Sequence, residues 1–317
     1  MLESFLTTLE QMIRIVLLLA IGFSFNKLHL IPKSAEPVLS KFVTMLFLPC
    51  LTLYSYATEC DFQSLLTYSQ WTLFGGAFTA IAVGIGYLLA GRFAGGNEYL
   101  KGVYRYSLAV PNTGAVATPL ILAFFGTAGL FRFQMFSFVL GIVTYTWGIM
   151  QLQPAHGRHD LMFYIQRIFS ANFVAMLIGI CLGLTGVKNW MPTVILGTID
   201  ELGGCYVTVS LLLTGFTIAD YPMHEVVGNR KVYAFSLLRL ILIPGFFLVL
   251  MKLINADSML SVLVVLAASC PCGMNTVVYP AAYGEDCKPG ASMVLISSLL
   301  SVVTVPIMYA LANVICG

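Results

Sequence analysis

Two apolar stretches of this chain carry polar residues in the same order, and they hold most of the chemistry the sequence offers. The first is Leu108–Gly126, LAVPNTGAVATPLILAFFG; the second is Ser269–Gly284, SCPCGMNTVVYPAAYG. In each an early proline (Pro111, Pro271) is followed by an Asn-Thr pair (Asn112-Thr113, Asn275-Thr276), a second proline (Pro119, Pro280) and a closing glycine. A proline removes a backbone donor and crowds the carbonyl four residues earlier, so neither stretch can run as an unbroken helix. Broken backbone at membrane depth must face protein or a wet cavity. Beyond each break a half-helix begins, with free N–H groups and a partial positive charge at its start. With the amides and hydroxyls of Asn112, Thr113, Asn275 and Thr276, and with the backbone at Gly114, such ends suit a carboxylate without a buried cation. Paired interruptions at matching places in two halves are the pattern of a carrier's substrate site. The alternative is that the amides only satisfy backbone groups freed by the prolines. Asn112 follows its proline directly, whereas Asn275 stands four residues past Pro271, so equal roles do not follow from the order alone.

Other residues compete for attention. Asp200 and Glu201 lie about 12 Å inside the seventh apolar segment if it is helical from Pro192. Ionisable groups at such depth are functional candidates, and burial would suit them to proton or cation coupling. If the span instead starts near Leu202, both sit at the interface. Lys41, early in the second segment, could pair with either acid, or snorkel to the headgroups on its long stem. Glu10 and Arg14 have the spacing of an intrahelical pair. Arg239, in SLLRLILIPGF, has no local acid and could face a substrate's charge. Cys270-Pro271-Cys272 with Met274 is a soft-ligand cluster, but no partner set lies elsewhere, so small packed residues at a helix crossing are the simpler reading and no metal site is expected. His156 and His159 share a polar loop with Arg158 and Asp160 and read as solvated surface.

These residues need a membrane to make sense. The 317 residues are 59% hydrophobic and 9% charged, whereas soluble domains carry roughly 25% charged residues. A soluble fold could not cover so much apolar surface, and no basic cluster points to nucleic acid. The first apolar run lacks the positive start and small-residue end of a cleavable signal. The eight cysteines fall mostly inside apolar runs and read as small buried hydrophobes. Ten segments approach the roughly 20 residues that a spanning helix needs: 5–25, 36–57, 66–90, 102–125, 131–152, 162–184, 192–218, 232–254, 259–283 and 291–314. The connections leave no room for a soluble domain. Odd-numbered loops carry nine Lys/Arg (Lys27, Lys33, Arg92, Lys101, Arg158, Arg167, Arg230, Lys231, Lys288) against three on even ones (Arg132, Lys188, Lys252). The positive-inside rule then puts both termini outside the cytoplasm. Five segments in each half, 1–155 and 156–317, force the second half to enter the membrane in the opposite sense. That is an inverted repeat, the usual frame for alternating access. Glycines of the third segment (75, 76, 84, 86, 91) fit close helix contact, and the aromatic stripes read as packing or interfacial belts.

The ordered set formed by FLPCLTLYSYA, the broken PNTGAVATP, and the run from SCPCGMNTVVYPAAYG to SLLSVVTVPIMYAL resembles the auxin efflux carrier family of membrane permeases, which includes bacterial malate and malonate carriers. The resemblance covers nearly the whole chain. It implies an all-α membrane fold of ten helices in a 5+5 inverted repeat, with the fourth and ninth broken and crossing near mid-membrane. It further implies a scaffold of helices 1, 2, 6 and 7 and a transport domain of helices 3–5 and 8–10. By motif position Pro111, Asn112, Pro271 and Asn275 would occupy the crossover. The expected activity is secondary transport of a small carboxylate in the plasma (inner) membrane, with H+ or Na+ as a coupling ion at Asp200, Glu201 or Lys41, no other cofactor, and no nucleic acid partner. Apolar scaffold helices leave room for a homodimer. A membrane receptor or sensor for a similar ligand is the alternative, although no signalling appendage is visible. An intramembrane hydrolase ranks last, since Gly-x-Ser-x-Gly and His-Glu-x-x-His are lacking.

Overall fold

The computed structural model describes residues 2–153, 170–219, 230–282 and 285–316. The loop holding His156 and His159, and parts of the sixth segment and of the seventh connection, lie outside them. The described residues are helical, with no strand among them. In chain order the helices are α1 (Leu2–Lys27), α2 (Ala35–Glu59), α3 (Phe62–Ala94), α4 (Glu98–Ala109), α5 (Thr113–Gln151), α6 (Ala171–Thr185), α7 (Thr193–Ile218), α8 (Arg230–Leu253), α9 (Ser258–Ser269), α10 (Asn275–Ala282) and α11 (Lys288–Cys316).

Six of these, α2, α3, α5, α7, α8 and α11, are long and apolar enough to cross a membrane. The sequence suggests ten segments, and the difference has physical causes. The stretch read as the fourth segment is cut at Pro111 into α4 and the start of α5, and the ninth is cut at Pro271 into α9 and α10. Helix α5 runs on past the expected end of the fourth segment through Gly126, where φ 62° and ψ −161° break the helical path. Only glycine adopts that backbone without strain. Helix α1 is continuous over its 26 residues. The Glu10–Arg14 pair forms on its exposed face.

Prolines shape the helices in a second way. Pro49, Pro119 and Pro244 each stand just past a π-helical turn: Val43–Phe47, Thr113–Ala117 and Leu238–Leu242. In each case the N–H before the proline (Leu48, Thr118, Ile243) donates to the carbonyl five residues back. The carbonyl that the proline would crowd, four residues back at Met45, Ala115 or Leu240, is the centre of the widened turn. The helix continues because the turn opens where the proline needs room.

Close helix approach organises the rest. A Cβ added at Gly22 would stand 2.0 Å from the Leu212 carbonyl oxygen, and one at Gly215 2.0 Å from that of Leu19. Helices α1 and α7 therefore meet backbone to backbone. Asn26 closes the same contact, donating from Nδ2 to the Phe216 carbonyl at 2.7 Å. In α3, Gly75 lies against the Phe136 carbonyl of α5 and Gly86 against that of Arg105 in α4, whereas Gly84 and Gly91 meet open space. The largest buried cluster is centred on α9 and the first half of α11, with α4, α5 and α8 around them.

Candidate functional site

The two broken segments meet. Helix α4 ends as Val110 N–H donates to the Tyr106 carbonyl at 2.8 Å. Pro111, without a donor, then leads into extended backbone. There Asn112 N–H donates to the Pro271 carbonyl at 2.9 Å, and Pro111 and Cys272 form an isolated antiparallel bridge. On the other side of the bridge Cys272 N–H donates to Ser297 Oγ of α11 at 3.0 Å. Backbone groups released by the prolines are thus paired across the two segments, which fixes the register of the crossing.

A cavity of about 290 Å³ opens at this bridge. Pro111, Asn112, Thr113 and Gly114 line one side, Gly273, Met274 and Asn275 another, and Ser137, Gly141, Thr144 and Tyr145 of α5 a third. Asn112 is the residue before the helical start at Thr113. Its Oδ1 accepts the Ala115 N–H at 3.4 Å, a long bond, and its carbonyl accepts the Val116 N–H at 3.3 Å. Its Nδ2 has no bond among the described residues. Asn275 donates from Nδ2 to the Tyr106 hydroxyl at 2.8 Å, and Tyr106 is 1% exposed. The starts of α5 and α10 both lie at the cavity, so the positive ends of two helices face it, while the N–H groups of Thr113, Ala115, Val116, Thr276 and Val277 are already paired locally.

Of the residues marked by the sequence, Pro111, Asn112, Thr113, Gly114 and Asn275 share the cavity wall. Thr276 does not. It is fully buried, and its Oγ1 donates to the Gly273 carbonyl at 2.8 Å, closing the turn that starts α10. Pro271 supplies the bridging carbonyl. Pro119 lines a different cavity, between α5, α1 and α7, and Pro280 lies within α10. Asp200, Glu201 and Lys41 are exposed on the helix surfaces of α7 and α2, no ion pair joins them among the described residues, and none lines the crossover cavity. Helix α7 starts at Thr193, so both acids lie within a continuous helix rather than before it. Cys270 and Cys272 are fully buried, and no metal-binding group of His, Cys, Asp or Glu occurs among the described residues.

Sequence reasoning passed over the α5 wall and the tyrosines. Ser137, Gly141, Thr144 and Tyr145 fall at i, i+4, i+7 and i+8, one face of a helix. That run of small and polar residues amid aromatics was the available signal. Tyr145 of α5 lies within electrostatic reach of both Tyr106 of α4 and Tyr206 of α7. A Cβ on Gly114 would stand 3.2 Å from the Tyr206 hydroxyl. A second cavity, of about 180 Å³, shares Ser137, Gly141 and Tyr145 and extends to Thr52 of α2 and Asn172 of α6. There Gln134 Nε2 donates to Thr52 Oγ1 at 3.1 Å and Thr52 Oγ1 to Asn172 Oδ1 at 2.7 Å, while Gln134 Oε1 is buried without a partner.

No curated protein matches the chain. A family model described as membrane transport protein matches residues 7–309. With six membrane-length apolar helices in place, that match settles membership: the chain belongs to the membrane transport protein family, the auxin efflux carriers that its motifs resemble, and is an integral membrane transporter.

Proposed function

We propose that the protein is a secondary carrier of a small organic anion, a carboxylate, which it binds at the crossover and moves by alternating access. The observation that carries this reading is the Asn112 N–H to Pro271 carbonyl bond. It joins the two breaks so that both half-helix starts, Asn112 and Asn275 lie on one cavity. Neutral amide donors and helix-end dipoles stabilise an anion while remaining weak enough to release it. The second cavity runs from this wall to α2 and α6, which gives an elongated substrate a place for its apolar body.

In this reading residues 1–155 and 156–317 are two five-helix repeats of opposite sense, and the fourth and ninth spans are counted across their breaks. Helices α1, α2, α6 and α7 form the scaffold, and the crossover belongs to the moving part. The protein sits in the plasma membrane with both termini away from the cytoplasm. Asp200 and Glu201, on the scaffold helix α7, are the candidate sites for a coupling H+ or Na+, with Lys41 as a countercharge.

The test is uptake of a carboxylate panel into proteoliposomes, with an imposed proton or sodium gradient and then without one. Saturable uptake that Asn112→Ala weakens is expected. Saturable binding with no uptake under any gradient would replace the carrier by a receptor.

A further inference from the structure

Arg239 is the only charged side chain among the buried described residues, with 1% of its surface exposed. It sits in the π-helical turn of α8. Its Nη1 donates to the Ala268 carbonyl at 2.7 Å. Ala268 belongs to the last turn of α9, where the break at Pro271 leaves carbonyls without intrahelical donors. The guanidinium thus caps the end of α9. Its Nε and Nη2 have no partner among the described residues. It also lies within electrostatic range of Cys270 and Cys272, the residues on either side of Pro271. Pro271 in turn supplies the carbonyl that Asn112 holds, and Gly273, the next residue after Cys272, lines the crossover cavity.

Capping one carbonyl needs a donor, not a charge. Arginine remains protonated in proteins, and a buried charge without an acid is costly to keep. What the charge adds is a positive potential at the crossover, where low-dielectric surroundings let it reach across several ångströms. We propose that Arg239 makes the site selective for anions. From behind the 270–273 segment it favours a ligand's carboxylate without touching it, while Asn112 and Asn275 supply hydrogen bonds that a neutral ligand also accepts, though more weakly than a carboxylate. Arg239 is thus a specificity-determining residue acting at a distance. The inference rests on the carboxylate reading of the crossover site.

The test compares acids with their methyl esters. Purified full-length protein in nanodiscs is titrated with malonate, succinate, phenylacetate and indole-3-acetate, each beside its methyl ester. The wild type is expected to prefer the acid. Arg239→Gln keeps a donor for Ala268 without the charge, and should weaken the preferred acid about tenfold while changing its ester less than about twofold. Arg239→Lys should retain most of the preference. Asn112→Ala should weaken both acid and ester and leave the acid preferred. An unchanged acid-to-ester ratio in Arg239→Gln would overturn the proposal and leave Arg239 as a cap. Should Arg239→Gln fail to fold, Cys270→Asp decides with Arg239 in place, since it sets a countercharge within electrostatic range of the guanidinium: a lost acid preference supports the proposal, and an unchanged acid-to-ester ratio removes it. If the wild type binds no acid, or Asn112→Ala alters neither ligand, the site reading itself falls, and this inference with it.

Discussion

Asn112 and Asn275 occupy one cavity but hold different bonds, and their variants should differ accordingly. Asn112 lends its side chain to a long bond with the Ala115 N–H, which water can replace at little cost. Asn112→Ala is therefore expected to weaken substrate roughly five-fold or more, from the loss of about 1 kcal/mol of hydrogen bonding, with unliganded stability nearly unchanged. Asn275→Ala should weaken substrate in the same direction. It also leaves the buried Tyr106 hydroxyl without its amide partner, so it should cost about 1–3 kcal/mol of stability as well. Thermal melts with and without ligand separate the two effects. An Asn112→Ala protein that loses stability yet keeps its full ligand response would make this asparagine a structural plug. Thr276, buried on the Gly273 carbonyl, belongs to the turn rather than the cavity, which fits a role in holding Asn275 in place.

At the scale of helices, prolines and glycines act in opposite senses. Each π-helical turn before Pro49, Pro119 or Pro244 widens a helix, and the one at Thr113–Ala117 sits directly after Asn112. Pro119→Ala restores a donor and removes the reason for the widening. Uptake is expected to slow in this variant while equilibrium affinity stays within about twofold, because Asn112 keeps its bond to the Pro271 carbonyl when the turn after it tightens. Equal loss of affinity and rate would tie Pro119 to binding instead. The glycines at the α1–α7 contact bring backbones together. Gly215→Leu would drive its Cβ into the Leu19 carbonyl, 2.0 Å away, and overpacking of this kind costs about 1–3 kcal/mol. A lower melting temperature with unaltered affinity per folded molecule is expected. A melting temperature equal to that of wild type would show that the two helices separate freely.

For the whole molecule, charge is expected to set orientation and coupling. With nine Lys/Arg on one set of loops against three on the other, both termini are expected outside the cytoplasm by the positive-inside rule. With the free cysteines that are exposed or partly exposed (Cys50, Cys181, Cys205, Cys287 and Cys316) replaced by Ser, Leu2→Cys and Gly317→Cys should each react with an impermeant thiol reagent in intact cells. Protection of either end would remove the ten-span arrangement. Asp200 and Glu201 are exposed on α7, away from the crossover cavity. Neutral replacement of both should leave expression near normal and flatten the dependence of uptake on the ion gradient. Unchanged pH and sodium dependence in the double variant would exclude them from coupling.

The membrane class, the helical character and the two breaks were legible in the sequence, because they follow from local rules. Apolar length forces helices in lipid, and a proline removes its donor whatever surrounds it. The Pro–Asn-Thr order accordingly pointed to Asn112 and Asn275 before any contact was known. What each asparagine holds was not legible, nor was the α5 wall of the cavity. Both depend on which helices lie side by side, and the chain separates Asn275 from Tyr106 by 169 positions. Thr276 shows the limit of a motif: adjacent to Asn275 in sequence, it turns away because a helix places successive side chains on different faces. Arg239 shows it most clearly. In sequence it is a charge without an acid; only the tertiary packing of α8 against the end of α9 supplies the carbonyl it caps, since free backbone groups at a break are satisfied by whatever segment folds against them.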